Sequence, residues 1–301
     1  MTEEKVKIIP MTYDKMFKSV LTSKEARGYL AGLISDITGL PKEKIKKDMV
    51  IKNSEHSINS ISEKKKISDL VVEVKDSVIN LEMNKYYYDG LIDRNHEYIA
   101  KIRESLVKEG ETYSELKKII QINFDNYNRY KPDERVIIKF EMIDKEKKVE
   151  EGVGIESYHV ILPNVKEKYY NKGSKDALVG KLVIMVEERY EELEKLIEKY
   201  TELRPVGKKM VEISRDEELQ GIYDAEEHAR KVRNSIMATE LKQNFFEGLN
   251  KGKEQGIKEG REEGRKEEQI EIAKEMIKEN MDLKTIEKIT KLSVEEIENL
   301  K

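Results

Sequence analysis

Lys66-Ile67-Ser68-Asp69-Leu70-Val71-Val72-Glu73-Val74-Lys75-Asp76-Ser77-Val78-Ile79-Asn80-Leu81-Glu82-Met83-Asn84 decides how this chain is read. It has the form of two β-strands around a turn at Lys75-Asp76. In the first strand Leu70, Val72 and Val74 share a face, and in the second Ile79, Leu81 and Met83 do. Burying both triplets together fixes the register, because a strand's side chains alternate. Asp69, Glu73, Asn80, Glu82 and Asn84 are then left on the other face, with Asp69 opposite Glu82. Two carboxylates held this close repel unless a cation or a proton intervenes. A hard divalent cation such as Mg²⁺ takes oxygen ligands and is commonly held by one or two carboxylates with waters and substrate phosphate. The acid spacing by itself favours a plain hairpin with one buried and one wet face, because Asp and Glu are common and the pattern is loose.

Around this hairpin the pattern is that of an α/β domain. Residues 14–20 and 24–38 read as helices, the second with Ala26, Tyr29, Leu30, Leu33, Ile34 and Ile37 at helical spacing and stopped by Gly39 and Pro41. A strand is expected near Val50, a helix over 94–108, and strands over 118–124, 135–143 and 157–162. Helices before and after a small mixed sheet make an α/β domain ending near Pro163. Residues 176–200 mix Leu, Ile and Met with many Glu and Lys, which reads as helix broken at Pro205-Val206-Gly207, and a further helix starts near Asp216. The organisation expected is 1–165 as the α/β domain, 166–236 as a helical subdomain, and 237–301 as a tail.

Gly248, Gly252, Gly256, Gly260 and Gly264 recur every four residues in that tail, among Lys, Arg and Glu. Each Gly inside a helix costs ~1 kcal/mol relative to Ala. The segment is then either a frayed, low-complexity linker or a helix with a second backbone packed along the Gly row, and the expectation is the latter, in an oligomer, most simply a dimer. After it, 281–291 and 293–300 read as a small helix pair, with a capping box at Ser293-Val294-Glu295-Glu296. The second helix has few basic residues, which favours protein interaction or capping over base reading.

Composition narrows the classes further. The 301 residues carry 39% charged side chains and a formal net charge of -4, so any nucleic-acid contact must use a local patch. The absence of Cys excludes disulfides and thiolate chemistry, and His56, His96, His159 and His228 have no metal-ligand spacing. No apolar run approaches the ~20 residues of a membrane span and none opens the chain as a signal peptide, so a cytoplasmic protein is expected.

The order of several motifs resembles the PD-(D/E)xK nucleases, in particular the recombination-promoting nuclease or putative transposase family. Tyr13-Asp14-Lys15-Met16-Phe17-Lys18 is similar to that family's D-x-x-F-K element, and Asn80-Leu81-Glu82-Met83-Asn84 to its N-I-E-M-Q strand. The helix from Arg94 to Glu104, Gly110-Glu111-Thr112-Tyr113-Ser114-Glu115-Leu116 and Ile119-Ile120-Gln121-Ile122 follow in the family's order. The resemblance implies a restriction-endonuclease-like core followed by an α-helical C-terminal region. It implies a metal-dependent DNA endonuclease that hydrolyses phosphodiester bonds and is associated with mobile elements or horizontal gene transfer. Mg²⁺ or Mn²⁺ would be the cofactor, bound by Asp69, Glu82, the Met83 carbonyl and Asp14. Asn84 would position the attacking water, and Arg94 and Lys18 would contact phosphate. The branch usually has Gln, and many relatives Lys, where this chain has Asn84. The alternative is therefore a weak or inactive member acting as an oligomeric interaction protein. Each role has a plainer counterpart: an N-cap for Asp14, a surface ion pair with Glu for Arg94, a solvated run for Lys64, Lys65 and Lys66. For Tyr86-Tyr87-Tyr88 the choice is base stacking or core packing, with at least one ring expected in the core.

Overall fold

The computed structural model describes residues 6–52, 69–106, 116–149 and 154–300. The Lys64–Lys66 run and the turn at Gly110 lie outside these residues. The chain divides into two compact units, residues 1–223 and 224–301.

The first unit begins with α1 (Asp14–Leu21), α2 (Arg27–Thr38) and α3 (Lys42–Asp48). Gly39 closes α2 with φ 77°, the left-handed cap that Gly adopts without steric cost. The strands are β1 (Val50–Lys52), β2 (Leu70–Val74) and β3 (Ser77–Asn84), followed by α4 (Leu91–Leu106) and then by β4 (Lys118–Asp125), β5 (Ile137–Phe140) and β6 (Ile155–Ile161). They form one mixed sheet in the order β1-β2-β3-β4-β6-β5, parallel at β3/β4 and β4/β6 and antiparallel elsewhere. The hairpin register is the one alternation dictates: Val74 pairs with Ser77 and Leu70 with Leu81, which places Asp69 across from Glu82.

One face of the sheet carries Leu70, Val72, Ile79, Leu81, Met83, Ile120, Ile122, Phe124 and Val160 into the main core. Phe17 of α1 meets Phe124 edge-on there, 5.7 Å between ring centroids. The same core takes in α5 (Leu162–Lys166), α6 (Ala177–Val183), α7 (Tyr190–Lys199) and α8 (Arg204–Ser214). Residues 176–200 are thus two helices parted by a short 3-10 turn and a loop, not one. Pro205 does not end a helix either. It lies in the first turn of α8, where its missing N–H is not needed. Gly207 sits inside α8 against Ile197, whose Cγ2 would lie 2.4 Å from a built Cβ, so the α7–α8 approach requires Gly.

The opposite face is not wet, as one form of the hairpin reading had it. At the N-terminal ends of β3 and β4, Val71, Val78 and Ile119 pack under Ile99 and Ile102 of α4. Toward the C-terminal ends the same face turns polar yet stays buried, since all eight residues of β3 are shielded from solvent.

In the second unit, α9 (Glu217–Lys278, which begins in the first) continues as a single helix through all five periodic glycines. Nothing lies within 4 Å of a Cβ built on any of them. Ala273 near its end packs with Ile286 of α10 (Leu283–Thr290), with Leu292, and with Ile297 of α11 (Val294–Glu298). The Ser293–Glu296 capping box forms as expected. Among the described residues no helix is long and apolar enough to cross a membrane.

Candidate active site

The polar end of the sheet is built by register. Asn80, Glu82 and Asn84 on β3 stand beside Gln121, Asn123 and Asp125 on β4, and Gln121 and Asn123 stand beside Ser157 and His159 on β6. All but Ser157 are nearly inaccessible. Buried polar groups are tolerated when they bond one another, and these do. The Asn80 amide donates to Gln121 Oε1 (2.8 Å) and to Glu82 Oε1 (3.1 Å), and Gln121 Nε2 donates to Asn123 Oδ1 (3.1 Å). Asn95 of α4 also donates to Asn123 Oδ1 (2.9 Å). At the strand ends Asn84 Nδ2 donates to Asp125 Oδ1 (2.9 Å), and Asp125 Oδ2 is 2.7 Å from His159 Nδ1. The sequence reading gave no site role to Gln121, Asn123, Asp125, His159 or Asn95. The signal for three of them was present, a polar-apolar alternation in Gln121-Ile122-Asn123-Phe124-Asp125.

The acids sit at the edge of this layer. The Asp69 N–H donates to Glu82 Oε1 (3.1 Å), and the Met83 N–H donates to Asp69 Oδ2 (2.8 Å). Each carboxyl is thereby anchored by backbone from the other's strand. Glu82 is only 2% exposed. Burial first, then the Asp69 charge, raises its pKa to about 8 against the pull of Arg94 and its own hydrogen bonds. Asp14 is the first residue of α1 and not its cap, which is Tyr13 with no side-chain bond. Desolvation and the Asp69 charge push the Asp14 pKa up, while Lys18, Lys85 and Arg94 pull it down.

The cations are also in place. Lys18 Nζ is 3.2 Å from Asp69 Oδ1. Arg94 Nη2 donates to Asn84 Oδ1 (2.9 Å) and lies 4.0 Å from Glu82 Oε2. Its guanidinium stacks over Tyr88 and Tyr98. Arg94 is therefore a half-buried organiser and not one half of a surface pair. Lys85 lies over the Tyr13 and Tyr86 rings, near enough to Asp14 to influence its charge. Asn80 Oδ1 and Arg94 Nε are buried with no hydrogen-bond partner among the described residues. All three tyrosines of the 86–88 run are about half exposed, so none is a core residue.

Among the described residues no three Asp, Glu, His or Cys side chains converge on one point. A divalent cation would rest on two carboxylates, a set that suits Mg²⁺ completed by water and phosphate and does not suit a structural metal. The two acids crowded at the strand end, one of them driven toward its neutral form by burial and by the other's charge, are chemistry that fits such an ion.

A family model described as PD-(D/E)XK nuclease family transposase matches residues 11–240. A second, described as the C-terminal HTH domain of the Rpn/YhgA-like nuclease family, matches residues 266–301. The chain belongs to the PD-(D/E)XK nuclease family transposases, and its α/β sheet is the restriction-endonuclease-like core of that family, followed by an α-helical C-terminal region. The second match describes the segment that contains α10 and α11 as a helix-turn-helix. Comparison with curated proteins and with solved structures finds no match.

Proposed function

We propose that the protein is a divalent-metal-dependent DNA endonuclease, hydrolysing phosphodiester bonds in the service of mobile elements or horizontal gene transfer. The observation that carries this is the interlocked pair Asp69 and Glu82, two acids fixed by backbone N–H groups at the mouth of a buried polar layer. Asp69 and Glu82 would hold Mg²⁺ or Mn²⁺, with the Met83 carbonyl as a further oxygen donor; Asp14, the third acid expected from the sequence, does not join them in one ligand set and would act only through its charge. When bound, the ion supplies Lewis-acid polarisation of the phosphate and lowers the pKa of a water. The residues do the rest. Asn84 fixes Arg94 through Oδ1 and keeps a second lone pair on that oxygen for a water hydrogen. Arg94 and Lys18 would bring positive charge to the phosphate, Lys18 from its place beside Asp69. DNA is the partner, and the helix-turn-helix match supports a second contact with it.

One observation favours a different reading, an inactive member that acts as an interaction protein. The Lys18 ammonium already neutralises Asp69, and position 84 carries an amide without charge. Nicking of supercoiled plasmid with Mg²⁺ or Mn²⁺, with and without EDTA, separates the two. Cleavage that EDTA stops and that Asp69→Ala and Glu82→Ala abolish supports the enzyme. Purified protein that never cuts with either ion overturns it.

A further inference from the structure

Beside the acids lies a surface that hydrolysis alone does not require. Tyr86, Tyr87 and Tyr88 directly follow β3, and Tyr127, Arg129 and Tyr130 directly follow β4, so the parallel pairing of these strands brings both runs to one end of the sheet. Tyr87 and Tyr127 lie 5.5 Å apart between ring centroids. The exposed Arg129 guanidinium sits over both Tyr87 (5.3 Å) and Tyr130 (5.2 Å). Tyr130 in turn meets Phe140 of β5 at 5.7 Å. Tyr86, Tyr87, Tyr88 and Phe140 are 45–47% exposed.

The patch is continuous with the site. Tyr127 donates to Asp125, Asp125 accepts from Asn84, and Asn84 accepts from Arg94, which itself lies over Tyr88. Four large rings half open to water are a cost to a protein unless something covers them. Ring faces interleaved with Lys85, Arg94 and Arg129 match one kind of occupant: a chain of flat bases joined by phosphates, with the bases unpaired so that their faces are free. A paired duplex hides those faces and offers an edge and a groove instead. The net charge of -4 makes a general electrostatic footprint a poor explanation for binding here and puts the weight on stacking.

We propose that this aromatic platform binds unpaired DNA, and that single strands, flaps or junction arms are the substrate class delivered to Asp69 and Glu82. The inference deepens the nuclease reading and rests on it for the word substrate; the binding itself does not depend on cleavage.

The test uses the full-length protein in EDTA, where no cleavage occurs. Fluorescence anisotropy with a labelled oligothymidine of about 16 nucleotides is compared with a blunt duplex, for wild type, Tyr87→Ala, Tyr130→Ala and Arg129→Ala. The mutated side chains are exposed or partly exposed, and circular dichroism melting checks that the variants fold. Each lost ring is expected to weaken single-strand binding between about fivefold and a hundredfold, while duplex affinity, which the helix-turn-helix can supply, stays unchanged. Photo-crosslinking with 5-iododeoxyuridine in the oligonucleotide is expected to mark peptides containing Tyr86–Tyr88 or Tyr127–Tyr130. Variants that bind the single strand as well as wild type, or crosslinks confined to other peptides, overturn the platform. If those results come with metal-dependent cleavage of duplex, the platform fails and the nuclease stands. If the tyrosines govern strand binding and no DNA is ever cut, the nuclease reading fails and the platform stands. If no DNA of either form binds, both fail.

Discussion

Asp69 and Glu82 hold each other in position across the hairpin: the Asp69 N–H donates to the Glu82 carboxylate, and the N–H next to Glu82, on Met83, donates to the Asp69 carboxylate. Neither acid can swing away without stranding a partner's hydrogen bond. Asp69→Ala and Glu82→Ala are therefore expected to lower plasmid cleavage by about a hundredfold or more, since each removes charge from where the ion is proposed to be held. Asn84→Lys is expected to preserve or raise cleavage. If Asp69→Ala cuts as well as wild type, the activity lies elsewhere.

Glu82 is expected to make folding, and the proposed metal binding, depend on pH. Its pKa rises from 4.5 to about 8 on folding, so between those values the folded state keeps a proton that the unfolded chain releases. Stability in EDTA must then fall as pH rises across that window, by at most about 1.4 kcal/mol per pH unit. Metal competes with the same proton, so apparent Mg²⁺ affinity should climb with pH and level off above about 8. Thermal melts of wild type and Glu82→Gln check this. A wild-type Tm that does not drop relative to Glu82→Gln between about pH 6 and pH 9 would contradict it.

Asp125 is fully buried and bonded to His159, Asn84 and Tyr127. Removing its carboxylate takes an acceptor from three donors, of which only the Asn84 amide has another among the described residues, the more distant Asn123 Oδ1. Asp125→Ala should destabilise the first unit by about 3 kcal/mol, read by urea unfolding. A loss under about 1 kcal/mol would mean that water replaces the carboxylate at little cost.

Ile236, Met237, Leu241, Phe245, Phe246 and Leu249 are exposed on α9, and the glycines beyond them have open space where a side chain would be. The dimer expected from the sequence is proposed to form along this stretch. Light scattering should find full-length protein larger than a monomer and a chain ending before Met237 monomeric. Leu in place of Gly252, Gly256 and Gly260 should block assembly although each change raises helix propensity by roughly 1 kcal/mol. Assembly by that triple variant equal to wild type would show that the Gly row is not the contact.

The hairpin, its register and the helical tail were legible because they depend on neighbours close in sequence. Alternation over 70–83 needs no distant partner to be understood. The polar layer was not legible in the same way. Asn84 and Asp125 are 41 positions apart and meet only through parallel pairing across α4, and a strand with Gln121, Asn123 and Asp125 between isoleucines and a phenylalanine reads as half exposed until both faces are known to be covered. Pro205 misled for a related reason. A proline marks a boundary, and only the surrounding chain says whether a helix stops or starts there. The tyrosines of 86–88 were expected in part in the core, and half-exposure followed from a strand that ends at Asn84, before them.

Glu82 also sets a direction for mutational drift. A single base change converts a Glu codon to Gln, which would keep an oxygen for the Asp69 and Asn80 donors while ending the cost of holding the buried carboxyl protonated near neutral pH. Loss of the acid is thus expected to raise stability and is open in a single step. A chain that keeps Glu at 82 would be the less stable of the two, a trade of stability for chemistry at the site.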